Sequence, residues 1–429
     1  MEKSKFLTST FILMLGAFIT KILGMAIKII TTRYVGIDGI SIYMLILPTF
    51  TLFVNIATLG FPIAISKLVA EEKNNNKKII MSIIPVSIIL NIILMFIIIL
   101  VAPLISNLLL DKRTLYPLLA IGVILPFISL SGIVRGYFFG KEKIIPHTIS
   151  QISEQIVRLI IIIVITPILL KNSLEAALTG IVLVNIISEL TSIIILIFFL
   201  PRKIKISKKD FIPDKKIVKN VLNIGVPTTG SRIIGSIGYF LEPFILTYIL
   251  IKVGYSSLYI VKEYGILNGY VFPLLMIPSF FIQTIGLILI PIISKSFTNN
   301  NIRYAKSKLK QGLLVSFGLG VIITALMMMK PAFFLNLIYN TDAGTPYLKL
   351  LAPFFLFYYL QIPLTAALQA VNKAKDAMLS SLIGMTVKII LIITLSFLRI
   401  GIYSLIIATI ANILIVTFHN YIKIKRVLK

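Results

Sequence analysis

The sequence predicts an all-α polytopic membrane protein, about twelve transmembrane helices in two six-helix repeats, with a central cavity expected between the halves. Hydrophobic residues make up 58% of the 429-residue chain and charged residues only 13%. They gather into uncharged runs of about 18 or more, the length at which an apolar helix crosses a bilayer. Lys and Arg, which bring the net charge to +27, concentrate in alternate loops. A set of short motifs from the first half returns in the same order in the second. Alternating ten-residue strands are absent, which argues against a β-barrel.

Spans are read at 8–32, 40–66, 79–103, 115–139, 148–169, 175–200, 220–250, 266–293, 310–329, 347–370, 378–398 and 402–422. The first is too long, and too charged at Lys21 and Lys28, for a cleavable signal. The second is interrupted by Pro48, Gly60 and Pro62, the eighth by Pro273, Pro278, Gly286 and Pro291, and the tenth by Pro353 and Pro363. Proline removes a helix hydrogen bond and kinks the helix, so the second and eighth spans are candidate hinges. An even number of spans puts both termini on one side. The basic residues at each end, with Lys67, Lys73, Lys77, Lys78, Lys141, Lys143, Lys373, Lys375 and the runs 202–219 and 295–310, make that side cytoplasmic. The longest basic stretch divides the chain into an N-terminal bundle, 1–200, a cytoplasmic linker, 201–219, and a C-terminal bundle, 220–429.

The halves read as copies. Thr20-Lys21-Ile22-Leu23-Gly24 returns as Ser231-Arg232-Ile233-Ile234-Gly235, and Ile65-Ser66-Lys67 after Pro62 returns as Ile293-Ser294-Lys295 after Pro291. Pro126-Phe127 matches Pro353-Phe354. Gly140-Lys141-Glu142-Lys143 matches Asn372-Lys373-Ala374-Lys375, and Val157-Arg158-Leu159-Ile160 matches Val387-Lys388-Ile389-Ile390. Six helices per half keep both copies in the same orientation, so they are related by an axis along the membrane normal, with the substrate expected between them.

A cation at bilayer depth costs about 2.5–3.5 kcal/mol on insertion scales, so intramembrane charges are read as functional first. Lys21 and Lys28 share one helix face, seven residues apart. Lys21 and Arg232 both fall near mid-depth and form the expected diphosphate pair, a point charge beside a planar fork. Lys28 and Arg33 lie nearer the outer surface, where long bases snorkel. Glu242 is expected to pair with Lys28 or Arg33 as an outer gate. Glu154 and Arg158 have the four-residue spacing of a same-face ion pair. Lys388 is either a site residue or the partner of Glu189. Arg135, near the inner end of the fourth span, is expected to snorkel. Away from the span ends, six bases (Lys21, Lys28, Arg135, Arg158, Arg232, Lys388) stand against three acids (Glu154, Glu189, Glu242). That surplus suits an anionic substrate, whereas a cavity for cationic drugs would be acidic.

The charge does not point to nucleic acid, because topology and attraction to anionic membrane lipids account for most of it. Cysteine is absent, which excludes disulfides and thiolate chemistry. His147 and His419 have no acid at metal-ligand spacing, so no metal is expected. No Gly-rich phosphate loop and no carboxylate pair on a sizeable loop appears, so no catalytic residues are assigned and the chain is not read as an enzyme.

Several stretches resemble the stage V sporulation protein B family: Lys21-Ile22-Leu23-Gly24 with Lys28 and Arg33, then Leu59-Gly60-Phe61-Pro62-Ile63-Ala64-Ile65-Ser66-Lys67-Leu68-Val69-Ala70-Glu71. Gln151, Glu154-Gln155-Ile156-Val157-Arg158, Arg232, Glu242, Tyr264-Gly265, Pro273-Leu274-Leu275 and Pro278 continue the likeness. That family lies in the multidrug/oligosaccharidyl-lipid/polysaccharide exporter superfamily, with the lipid II flippases as relatives. The resemblance implies a MATE-like fold and a plasma-membrane flippase that moves an undecaprenyl-diphosphate-linked saccharide by alternating access, for the cell wall or for sporulation, with cell-wall synthesis enzymes as partners. A cation-coupled multidrug antiporter of the same fold is the alternative. Coupling to Na⁺, H⁺ or the membrane potential stays open, with no bound cofactor expected. Lipid II flippases carry an arginine where this sequence has Ile27, and longer members continue for two helices past the position of Lys429, helices associated with a groove for the lipid tail. On this reading Lys21, Lys28, Arg33, Arg232, Glu242 and Lys388 bind substrate, while Glu154, Arg158, Glu189, Pro62 and Pro291 are structural or gating.

Overall fold

The computed structural model describes residues 2–71, 75–109, 111–200 and 208–428. Lys73 and the linker residues 201–207 lie outside them. The long helices are α1 (Glu2–Thr58), α3 (Asn76–Leu108), α4 (Leu115–Gly140), α5 (Ile144–Leu170), α6 (Leu174–Phe198), α7 (Lys215–Lys252), α9 (Phe272–Thr298), α10 (Ile302–Met329), α12 (Thr345–Ala370), α13 (Ala374–Ser396) and α14 (Tyr403–Val427). Short helices α2 (Phe61–Ala70), α8 (Ser257–Ile266) and α11 (Pro331–Tyr339) complete the set.

Eleven helical stretches among the described residues are long and apolar enough to cross a membrane, the first being Leu15–Ala70 with 56 residues. At 1.5 Å per residue that stretch would be about 84 Å long, far beyond the ~30 Å hydrocarbon core. Gly36 resolves the excess. Its φ of 64° and ψ of −166° break α1 in a region of backbone space that is essentially glycine's alone. The first two crossings meet there, which gives the expected twelve. A second break, Leu59 at φ 40° and Gly60 at φ 68°, separates α1 from α2, so the second crossing is two helical pieces. The eighth is also composite, α8 and α9 joined by a five-residue π-helical turn, Leu267–Val271. Sequence periodicity locates apolar runs, but it does not register a helix that continues through a polar end. For that reason α3, α7 and α10 begin before the expected 79, 220 and 310. Between the expected spans 310–329 and 347–370 lies the short helix α11, capped by left-handed Asn340.

The chain forms two compact units, residues 1–240 and 241–429. In the first, α2 lies against α4 along Gly132, Gly136 and Gly140. A Cβ at Gly136 would stand 2.7 Å from the Pro62 carbonyl oxygen, and one at Gly140 would stand 2.5 Å from that of Ser66. Small residues let membrane helices approach this closely. Phe61, Ile65, Ile133, Phe138 and Val221 fill the core beside that contact. The first crossing packs on α5, where Gly16 is backed by Thr148. The distal end of the linker is fastened to α3: Asp210 pairs with Lys77 and Asp214 with Lys78, both at 2.6 Å, and the Asp214 amide donates to Ser82 Oγ. The second unit packs α9, α10, α12 and α14 around Leu289, Ile293, Leu309, Leu364, Leu368 and Ile424.

Candidate functional site in the membrane interior

Three helices of the first unit each present a polar pair on one face: Ser131 and Arg135 on α4, Glu154 and Arg158 on α5, Glu189 and Ser192 on α6. Three- and four-residue spacing stacks such side chains one turn apart. They converge into one network. The Arg135 guanidinium donates to both Glu154 and Glu189, the latter at 3.1 Å, and to Ser192 Oγ at 2.8 Å. Arg158 donates to the other oxygen of Glu154 at 2.7 Å, and the Ser131 hydroxyl donates to Glu189. Glu154 and Glu189 are buried, 5% and 6% exposed. Two guanidiniums face two carboxylates, so the cluster closes on itself electrically.

The four-residue pair Glu154–Arg158 is as the spacing predicts. Arg135 is not: it turns inward rather than snorkelling, because two buried carboxylates on neighbouring helices lie within its reach. Glu189 correspondingly pairs with Arg135 and not with Lys388. In the second unit Lys388 on α13 donates to Glu242 on α7 at 2.5 Å, with the carboxylate side chain 3% exposed. The expected pairing of Glu242 with Lys28 or Arg33 therefore gives way to a contact within the second unit. Both differences arise across helices, where spacing along one helix carries no information.

Glu154, Glu189 and Glu242 are thus all engaged, by Arg135, Arg158 and Lys388. The remaining bases are Lys21 and Lys28, half-buried on the first crossing, Arg33, exposed just before Gly36, and Arg232, exposed on α7. Lys28 and Arg232 carry no ion pair among the described residues. All four belong to the first unit. Asn55, which sequence reading passed over, donates to Ser236 Oγ at 2.5 Å, while the Ser236 hydroxyl donates to the Arg232 carbonyl at 2.8 Å. This pins the turn that carries Arg232 to the second crossing. The available signal was an amide in an otherwise apolar run, itself costly in lipid. Pro62 starts α2 at the close contact with α4, and Pro291 lies inside α9. His147 packs edge-on against Phe139, and His419 hydrogen bonds Ser380. Among the described residues no three His, Asp or Glu converge as metal ligands.

This helical bundle has counterparts among known proteins. A family model described as polysaccharide biosynthesis protein matches residues 6–297. The chain belongs to that family. A second model, MatE, matches residues 233–394, as expected for the exporter superfamily containing both. Stage V sporulation protein B of Bacillus subtilis (strain 168) is 34% identical over 441 residues, covering 100% of this chain and 85% of that one. Lipid II flippase MurJ of the same organism is 26% identical, covering 90% and 77%. Among solved structures, the inward-facing conformation of a multidrug resistance MATE family transporter of the MOP superfamily superposes with a TM-score of 0.75 at 14% identity, covering 95% of each chain. A MOP superfamily transporter from Pyrococcus furiosus gives 0.61 at 16% identity, covering 98% and 96%. At such identity these structures speak for the fold alone. Family and fold make the chain a multi-pass membrane protein of a transporter superfamily.

Proposed function

We propose that the protein flips an undecaprenyl-diphosphate-linked saccharide, a peptidoglycan precursor or polysaccharide repeat unit, across the plasma membrane by alternating access, with both termini cytoplasmic. The observation that carries this reading is the charge remaining once ion pairs are subtracted. Glu154, Glu189 and Glu242 are each held by Arg135, Arg158 or Lys388, while Lys28 and Arg232 carry no ion pair among the described residues and are open to an anion. A diphosphate is an anion suited to the lysine point charge and the arginine fork. The relatedness to a lipid II flippase and to a sporulation protein supports the same substrate class. The antiporter alternative needs an unengaged carboxylate to receive a cation, and Glu154, Glu189 and Glu242 are all in ion pairs.

Lys21 and Arg232 take the diphosphate, and the lipid tail stays in the bilayer. Na⁺, H⁺ or the membrane potential supplies the drive, and enzymes of cell-wall synthesis supply and consume the lipid. The test is a proteoliposome assay with a fluorescent undecaprenyl-diphosphate saccharide in one leaflet, run with and without imposed Na⁺, H⁺ and voltage gradients. Wild type is expected to move the lipid to the other leaflet, and Lys21→Ala/Arg232→Ala to slow it by about 100-fold, as when charge-assisted hydrogen bonds of roughly 1.5–3 kcal/mol are removed. Equal rates would remove the two bases from the mechanism. No movement by folded wild type would remove the lipid-saccharide reading itself.

A further inference from the structure

The second unit contains a cavity that the cationic residues do not touch. It lies along the seam of α9 and α12, with a volume of about 330 Å³, within the range of small-molecule sites. On α12 the lining residues Tyr358, Gln361, Thr365 and Gln369 follow one another at three- and four-residue steps, a polar stripe about 16 Å long. Gln283 faces it from α9. Gly286 lets the walls meet at the floor, where a Cβ would stand 3.1 Å from Ile362 and 3.6 Å from Ala366. No charged residue is among those that line it.

Three amides, a hydroxyl and a phenol are costly against lipid and belong beside water or a ligand. Some of this polarity is structural. Gln361 gives its amide hydrogen to the Ile413 carbonyl at 2.8 Å, and Thr365 accepts from Asn420 at 3.2 Å. Gln283, Gln369 and the Tyr358 hydroxyl make no hydrogen bond among the described residues. Pro291 adds an acceptor: lacking an N–H, it leaves the carbonyl of the lining residue Leu287 without its usual helical donor. The fold does not require such a seam. The contact between the second and fourth crossings in the first unit, α2 on α4, is closed by Phe61 and Phe138, both fully buried, with Pro62 against Gly132 and Gly136.

Resting on the function proposed above, we infer that this cavity is a saccharide subsite, binding the uncharged sugar part of the head group. Each amide both donates and accepts, as paired sugar hydroxyls require, and the Tyr358 ring offers an apolar face to the C–H side of a pyranose. An uncharged lining gives no preference to the diphosphate itself. The subsite therefore discriminates between lipids that carry a sugar and lipids that do not.

Equilibrium binding to the full chain in nanodiscs, with undecaprenyl diphosphate and with the same lipid carrying a saccharide, tests this through the ratio of the two affinities. Wild type is expected to favour the saccharide lipid by about tenfold or more, as two or three net hydrogen bonds would give. Gln283→Leu/Gln369→Leu should bring the ratio close to one, and Ala366→Leu, which fills the floor, should do the same. Lys21→Ala/Arg232→Ala should weaken both lipids and keep the ratio. A wild-type ratio near one, or an unchanged ratio in both cavity variants, overturns the subsite and leaves the flippase reading standing. If the glutamine variant fails to fold, Ala366→Leu decides. Wild type binding neither lipid overturns the flippase reading and the subsite with it.

Discussion

Arg135 on α4 bridges the buried carboxylates of α5 and α6, Glu154 and Glu189. A buried pair broken from one side leaves an uncompensated charge, at a cost of about 3–5 kcal/mol, whereas replacing both partners by apolar groups is often neutral. Arg135→Ala should therefore lower the unfolding temperature in detergent sharply, and Arg135→Met/Glu189→Gln should recover much of the loss. In the second unit, Glu242→Gln strands the Lys388 ammonium and should destabilise by a similar amount, with Lys388→Met as the compensating change. If Glu242→Gln alone were silent in the same melt, the pair would not be held in the folded protein. These partners were only partly legible in the sequence. Glu154 and Arg158 declared themselves because one helix supplies both. Arg135, Glu189, Glu242 and Lys388 were all visible as charges out of place, but the packing that pairs them belongs to helices far apart in the chain.

At the scale of elements, the two breaks in the opening 70 residues are set by backbone geometry. Gly36 occupies φ 64° and ψ −166°, where a side chain is strained by about 1–3 kcal/mol. Gly36→Ala should depress folded yield and thermal stability by that order, while Gly24→Ala, whose added Cβ meets nothing within 4 Å, should leave the protein unaffected. The linker end offers a pH-dependent counterpart. The hydrogen bond from Lys78 holds the Asp214 carboxyl below its ordinary range. A depressed folded value means that the contribution is present above the ordinary carboxylate pKa near ~4 and is lost as pH falls through the depressed one. Asp214→Asn should thus melt slightly below wild type at pH 7 and coincide with it in strong acid. The apolar runs marked the crossings well, and the prolines marked the irregular ones. The Gly36 break falls in the interval 33–39 that the expected spans 8–32 and 40–66 leave between them.

Across the whole molecule the two repeats use matching motif positions differently. The motif position occupied by Arg158 is tied into a four-charge network on three helices, and its counterpart Lys388 into a single pair. The amide-lined cavity lies in the second unit, and its counterpart contact in the first, α2 on α4, is closed. Repeat symmetry was legible from five short motifs, but its breaking was not, because glutamine in a membrane run has no signature beyond its polarity. The packing of the first crossing on α5 also imposes an order on biogenesis. Gly16 leaves the ribosome 132 residues ahead of Thr148, its neighbour in the finished fold, an interval of roughly 7–26 s at 5–20 residues per second. Throughout that interval a helix bearing Lys21 and Lys28 is in the membrane without its permanent companion. The first crossing is thus the one most dependent on the insertion machinery for shelter, and a nascent chain halted before α5 emerges should be the form most readily seized by membrane quality-control proteases.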